Sequence, residues 1–571
     1  MENQKTKKSN KFSIWVKNYF SHRPGRIKSP KELENDKYLI KIGNYFSIKF
    51  NRYVLFVSSV LVQFCVGSFY AWSIYNKPID NAIYGKETKG MAPITFYITV
   101  GVFGFTTFLS GPYIERHGPR RGILIGSILF AVAHWLTALG IYVQTIWLVF
   151  FGYGLFAGMG IALCYISPVS SLQKWFPDKR GLSSGLSVMG FGAGSIAFGK
   201  IPLHIINSVG LANNFLILGG AFLFMLLIQA YLFRNPPPGY TVHGMNSDGE
   251  INSTVQSERE STSDNSLETN SESSISDSSD GGKNPDKVEI LEAPKVQYTL
   301  RESLKSREFK LLYFIFLGNV IFGLVMISRL SNMVQDIFFK DKSTASMVVS
   351  VNGGFNLFGR IFFAYLSDKI GRKQCYFITI SSLIIIISIL PIVISNRSYP
   401  AFIALIWIAC ANYGGAFGII PAFLNDLFGS KNVSSTHGVI LTAWSISGVV
   451  GGILFTEVYD HLVKSKGVHD PEVYNVNIYW IIPVVLISWV LLWFVRVSPL
   501  DRQYPPIEGQ IFRISIFSRM LRLSKSKGLE FLSKSKQIEE WNTFISNSKA
   551  KELEELGKKE KTVDIPIEMN K

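Results

Sequence analysis

Apolar stretches of about twenty residues, bounded by charges or by Gly and Pro clusters, recur along most of this chain. About 20 predominantly apolar residues in helix cross the ~30 Å hydrocarbon core of a bilayer, so each stretch predicts a membrane-spanning helix. Six lie before residue 235, over 52–75, 92–115, 122–142, 145–169, 182–207 and 212–233. Six more lie over 309–331, 343–366, 374–395, 400–425, 433–458 and 477–497. The expected fold is all-α and membrane-embedded, with twelve transmembrane helices in two six-helix halves, 52–234 and 309–497.

The pattern breaks in three places. Residues 1–51 form a basic amino-terminal tail without the apolar core of a secretory signal. Residues 235–308 include the run NSESSISDSSDGG, rich in Ser and Asp, which buries too little apolar area to offset chain entropy and predicts a disordered linker. Residues 498–571 form a second basic tail. Within it, Phe512, Ile516, Met520 and Leu523 stand at helical spacing among Arg519, Arg522, Lys525 and Lys527. That spacing predicts an amphipathic helix on an anionic leaflet, with a solvated, partly disordered tail as the equal alternative.

Composition agrees with a membrane protein: 47% of the 571 residues are hydrophobic and the mean hydropathy is +0.22. The net charge of +17 sits in tails and short loops, which orients a membrane protein and argues against a nucleic-acid partner. Arg116, Arg120 and Arg121, then Lys174, Lys179 and Arg180, then Lys369, Arg372 and Lys373 place their loops, both tails and the linker in the cytosol. Lys77, Lys86, Lys89, Lys340 and Lys342 oppose that assignment. Cys65, Cys164, Cys375 and Cys410 stand singly in apolar segments, so neither a disulfide framework nor a metal site is expected. With no P-loop, GxSxG or HExxH, the chain is expected to be no enzyme, to need no cofactor and not to be driven by ATP hydrolysis.

One loop is written twice. Gly111-Pro-Tyr-Ile-Glu115-Arg116-His-Gly118-Pro-Arg120-Arg121 follows helix 2, and Ala364-Tyr-Leu-Ser367-Asp368-Lys369-Ile-Gly371-Arg372-Lys373 follows helix 8. Each sets a carboxylate at a helix end, a glycine in the turn and a basic pair before the next helix. Glu115, Arg116, Arg120, Asp368 and Arg372 are thus candidates for charges that pair in one conformation and part in another. The loop resembles the signature of the major facilitator superfamily, which implies halves that rock about a midplane site. Further stretches resemble the oxalate:formate antiporter family, itself related to the monocarboxylate transporters. They are Gly67-Ser-Phe-Tyr70-Ala-Trp72-Ser-Ile-Tyr75, Lys174-Trp175-Phe176-Pro177-Asp178-Lys179-Arg180-Gly181 and Asp426-Leu-Phe-Gly429. That resemblance implies a small carboxylate as cargo.

An ionisable residue deep in a span is expensive, about 2.5–3.5 kcal/mol for Arg at a helix centre, and calls for a function. Arg360 lies eight residues before Asp368, roughly 12 Å from the helix end by the 1.5 Å rise. Asn352, Asn356 and Arg360 make one polar stripe that needs water or a ligand beside it. The resemblance implies that the helix 8 Arg contacts the anion; a structural Arg paired within the bundle is the alternative. Where the family's oxalate carriers place a helix 11 Lys after Thr-Ala, this chain has Leu441-Thr442-Ala443-Trp444. One cavity cation matches a monoanion, so pyruvate or lactate is favoured over oxalate.

Lys200 and Arg329 read as interfacial residues near outer helix ends, and His134 as a structural histidine. Tyr70, Tyr165, Tyr413 and Trp444 are expected to form an aromatic enclosure with polar tips. Glycines 185, 190, 192 and 194 in helix 5, and 448, 451 and 452 in helix 11, suit either sliding helices or static close packing. The expectation is a monomeric carrier of a small monocarboxylate working by exchange or facilitated flux, in the plasma membrane or an organellar one. A carrier of a neutral or other small solute and a metabolite sensor that does not transport are the alternatives.

Overall fold

A computed structural model describes residues 14–15, 18–21, 32, 38–42, 46–86, 90–237, 239–242, 245–246, 297–429, 432–497, 502, 507, 509–516, 519–533 and 535–547. Among them, twelve helices are long and apolar enough to cross a membrane. They are α1 (Arg52–Tyr84), α2 (Ala92–His117), α3 (Pro119–Tyr142), α4 (Ile146–Trp175), α5 (Gly181–Phe198), α6 (Leu211–Leu232), α7 (Arg307–Asp336), α8 (Lys342–Ile370), α9 (Arg372–Ser395), α10 (Tyr399–Phe428), α11 (Val433–Lys466) and α12 (Glu472–Trp493). In a bilayer only helices or closed barrels satisfy the backbone internally, which is why apolar length alone marks most of these elements.

Local chemistry sets the ends. Asn51 caps α1 by accepting from Tyr53 N at 3.0 Å, Ser306 caps α7 through Phe309 N at 3.1 Å, and Asp341 caps α8. Gly118 and Gly371, the turn glycines of the repeated loop, adopt φ +82° and +96°, a region that disfavours side chains. The loop end of the bundle is called inner below, and the opposite end outer.

Several boundaries depart from the sequence pattern. Helix α1 runs nine residues past Tyr75, after tightening to 3₁₀ geometry over Ser68–Tyr75. Helix α4 contains a π-helical stretch, Phe150–Ala157. Such irregular turns inside spans are typical of functional sites and hinges. Helix α5 stops at Phe198, and a separate short helix, Ile201–Val209, starts beyond Lys200 with Pro202 in its first turn. The assigned linker is folded at both edges: strands Thr241–Val242 and Met245–Asn246 pair antiparallel, a Thr299 capping box opens the helix Leu300–Lys305, and α7 begins at Arg307. Residues 247–296 of that linker lie outside the described residues. In the amino-terminal tail, Tyr38–Ile42 pairs antiparallel with Phe46–Lys49.

The expected helix at 512–527 is absent. Gln510–Ile516, Arg519–Ser524 and Gly528–Leu532 form a three-stranded antiparallel sheet in a second compact unit with residues 535–547, which are helical. Met520, Leu532, Trp541 and Ile545 make its core, and Arg522 pairs with Glu530 at 2.8 Å and Glu540 at 3.2 Å.

In the helical unit the two halves meet along two antiparallel seams. In the α5–α8 seam, a Cβ added at Gly181 would strike Asp368, at Gly185 Ala364, at Gly192 the backbone of Leu357 and at Gly199 Ser350. In the α2–α11 seam, Gly111 meets the Ser435 backbone, Gly104 meets Ser445, Gly101 meets Val449 and Gly452 meets Tyr97. Of the glycines noted in the sequence, 185, 192, 448 and 452 face the other half, whereas 190 and 194 face α1 and 451 faces α7. Small residues allow this approach.

Candidate functional site

Midway along the two seams, seven aromatic side chains close a circuit. Ring centroids lie 4.6 Å apart for Tyr70–Phe191, 5.7 Å for Phe191–Tyr165, 5.6 Å for Tyr165–Phe103 and 4.8 Å for Phe103–Trp444. The circuit returns through Trp444–Phe417 at 6.0 Å, Phe417–Tyr413 at 5.2 Å and Tyr413–Tyr70 at 6.0 Å. Four rings come from the amino-terminal half and three from the carboxy-terminal half. The halves are joined across the ring by Tyr70 Oη and Tyr413 Oη at 2.9 Å, and Trp444 Nε1 donates to Tyr413 Oη at 2.7 Å.

Arg360 sits against this ring, fully buried, with its guanidinium 5.0 Å from the Phe417 centroid and 5.5 Å from that of Phe191. Its Nε donates to Asn356 Oδ1 at 2.8 Å and its Nη1 to the Val188 carbonyl at 3.2 Å, so it bridges α8 and α5. Its Nη2 makes no well-aligned hydrogen bond among the described residues, and neither do Tyr165 Oη, Asn356 Nδ2 and Asn352 Oδ1, although Arg360 and the Tyr165 hydroxyl are close neighbours, as are both asparagines and Cys410. A buried donor left unmade costs about 1–3 kcal/mol, and more for a charged group. The arrangement can therefore bind a compact anion, whose oxygens would accept from Nη2 and a tyrosine hydroxyl while the rings enclose its apolar end.

All seven residues proposed as binding residues from sequence are buried, and Arg360, Asn356, Tyr70, Tyr165, Tyr413 and Trp444 converge on this region. Asn352, one turn outward of Asn356 on α8, lies beside Cys410. Sequence reasoning missed Phe103, Phe191 and Phe417, since a Phe in an apolar helix carries no mark that separates lining from packing. It also missed His437, which is buried 6.1 Å from the Tyr165 ring with Nε2 unpartnered among the described residues.

The site is closed on both sides. At the inner end Glu115 accepts from Ser435 N at 3.2 Å and Ser435 Oγ at 3.1 Å, setting a carboxylate at the N-terminus of α11. Asp368 lies against Gly181 at the N-terminus of α5, the same arrangement with the halves exchanged. Arg372 holds Asp368 at 2.6 Å and Asp426 at 3.0 Å, within its own half. Arg116 instead donates to the carbonyls of Asn18, Tyr19 and Ser21, and Arg120 stacks on Tyr231 at 5.1 Å. Among the described residues neither arginine shows a pairing across the halves, whereas both carboxylates touch the opposite half.

At the outer end Lys77 pairs with Asp336 at 2.8 Å, and Asn76 donates to the Ser328 carbonyl and to Asn332 Oδ1, both at 3.0 Å. Tyr97 and Ser328 share a hydrogen bond of 3.1 Å. Arg329 is not interfacial: it is 2% exposed, donates to Thr456 Oγ1 at 3.1 Å and lies 4.9 Å from the Tyr459 ring. Lys200 is exposed just beyond α5. His134 Nδ1 donates to the Phe130 carbonyl at 2.8 Å among Phe130, Tyr153 and Phe222, away from the ring.

Comparison with known proteins agrees with this architecture. The uncharacterized MFS-type transporter YhjX of Escherichia coli is 25% identical over 400 residues, covering 70% of this chain and 86% of its own. The oxalate:formate antiporter of Oxalobacter formigenes is 22% identical over 403 residues, covering 70% and 84%. Among solved structures, the proton:xylose symporter XylE matches in fold with a TM-score of 0.53 at 13% identity, covering 78% of this chain and 97% of that one. The model of the Major Facilitator Superfamily matches residues 52–452. With its twelve spans among the described residues and the family match over most of its length, the chain belongs to the major facilitator superfamily of membrane transporters.

Proposed function

We propose that this protein is a secondary carrier of small carboxylates, favouring a monocarboxylate such as pyruvate or lactate, that works by alternating access. The observation that carries the proposal is the fully buried Arg360, whose Nη2 makes no well-aligned hydrogen bond among the described residues, at an aromatic ring shared by both halves. Guanidinium stays charged under all physiological conditions and offers a planar fork to a carboxylate. One cation balances one anionic charge. Trp444, standing where oxalate carriers of the resembled family have a lysine, contributes an indole N–H and an apolar face in place of a second charge. Similarity to an oxalate:formate antiporter supports the carboxylate class.

In the closed arrangement substrate is sealed from both faces. Release inward separates Glu115 from Ser435 and Asp368 from α5, and release outward separates Lys77 from Asp336. No Asp or Glu lines the ring among the described residues, so exchange or facilitated flux is proposed over proton symport. The protein acts as a monomer in the plasma membrane, with the basic loops in the cytosol. Uptake of labelled pyruvate, lactate, oxalate and xylose into proteoliposomes tests the proposal. Saturable pyruvate or lactate flux is expected, and saturable binding without flux of any of them contradicts it.

A further inference from the structure

A lateral groove of about 590 Å³ runs between the halves on the outer part of the α5–α8 seam. Its wall is Ile196 on α5 and Met347, Gly354 and Phe358 on α8, with Lys200 and Ser350 near one end. Ile196, Met347 and Phe358 are 40%, 49% and 53% exposed, so the groove opens sideways at residues that belong to two membrane spans. Ligand sites commonly have volumes of ~300–1,000 Å³. From Met347 to Phe358 the groove extends about 16 Å along the helix at 1.5 Å per residue. One leaflet contributes about half of the ~30 Å hydrocarbon core, so the groove matches the depth of a single leaflet.

The floor of the groove is open by construction. A Cβ added at Gly354 would meet only Ile196, at 3.8 Å, in contrast to the seam glycines that press on backbone. At the outer end Lys200 has no ion-pair partner among the described residues, and the buried Ser350 Oγ has no hydrogen-bond partner there. An apolar slot as deep as a leaflet, with a cation and a free hydroxyl at its interfacial end, has the layout of an amphiphile with an anionic head.

We propose that this groove holds one acyl chain of an anionic phospholipid of the outer leaflet, with the phosphate at Lys200. Lys stems reach the interface from helix ends, where a phosphate is the available counter-charge. A net anionic head is preferred over phosphatidylcholine because the choline cation would face the same lysine. The lipid touches α5 of one half and α8 of the other, and so braces the outer closure. The inference is independent of Arg360 and of what is carried.

Native mass spectrometry of the full chain released from nanodiscs of equal phosphatidylglycerol and phosphatidylcholine tests it. The wild type is expected to retain one phospholipid, predominantly phosphatidylglycerol. Lys200→Gln should keep the lipid but lose the headgroup preference. Gly354→Leu fills the slot with a strong helix former and should lose the lipid while thermal stability is retained. No lipid retained above the level of detergent-exchangeable lipid, undiminished retention in Gly354→Leu, or a free fatty acid in place of the phospholipid would overturn the proposal.

Discussion

Replacing Arg360 by Ala removes, among the described residues, the only guanidinium that touches the aromatic ring at Phe191 and Phe417. It deletes the donors to Asn356 and to the Val188 carbonyl, at 2.8 and 3.2 Å, together with the Nη2 group offered to the anion. A bound carboxylate then sits desolvated without a partner, and breaking a buried charge pair in this way costs about 3–5 kcal/mol. At 1.4 kcal/mol per decade, pyruvate affinity should fall roughly 10²- to 10⁴-fold. Arg360→Lys restores the charge but not the planar fork, and should recover only part of the loss. Pyruvate binding to purified protein gives the affinity, proteoliposome uptake gives the flux, and thermal unfolding in detergent controls for the lost α5–α8 bridge. Near-normal affinity and flux in stable Arg360→Ala protein would refute the assignment of the anion to this guanidinium.

Three further outcomes are expected. Trp444→Lys places a second cation beside Tyr413 and Phe103 and should raise competition by oxalate against labelled pyruvate; unchanged competition argues that Trp444 does not face the substrate. Gly192→Val presses a side chain on the Leu357 backbone. Overpacking of about 1–3 kcal/mol disfavours the closed state, so pyruvate turnover should slow while expression is kept. An inward proton gradient should leave pyruvate–pyruvate exchange unchanged, whereas acceleration that disappears in His437→Phe would identify the imidazole beside Tyr165 as a proton carrier and reverse the proposed coupling.

The helices were legible because a span has to be apolar over its whole length, and α3, α9 and α10 begin within a few residues of the pattern. Their ends were less so: α5 stops where Gly199 and Lys200 precede a proline, a break hidden inside a continuous apolar run. The tail misled for a definable reason. Phe512, Ile516 and Met520 recur every fourth residue, which satisfies a helix and also every second turn of the strand alternation through Ile514. Gly528, at φ +64°, after Ser524-Lys-Ser-Lys was the turn signal that separates the two. At the site, Arg360 and the tyrosines announced themselves by polarity in an apolar setting, whereas Phe103, Phe191 and Phe417 acquire meaning only by closing a ring across six helices. The contact of Arg120 with the Tyr231 ring on α6 was not legible, because the two are far apart in sequence.

The central claim is that one carboxylate docks on Arg360 between the two halves. A structure of the full chain in nanodiscs with pyruvate tests it most directly. The account predicts density for one planar anion within hydrogen-bonding distance of Arg360 Nη2 and of the Tyr70 or Tyr165 hydroxyl, with its methyl group toward Trp444. Saturating pyruvate with no density at that position, or density elsewhere with Arg360 still bonded only to Asn356 and Val188, would contradict it.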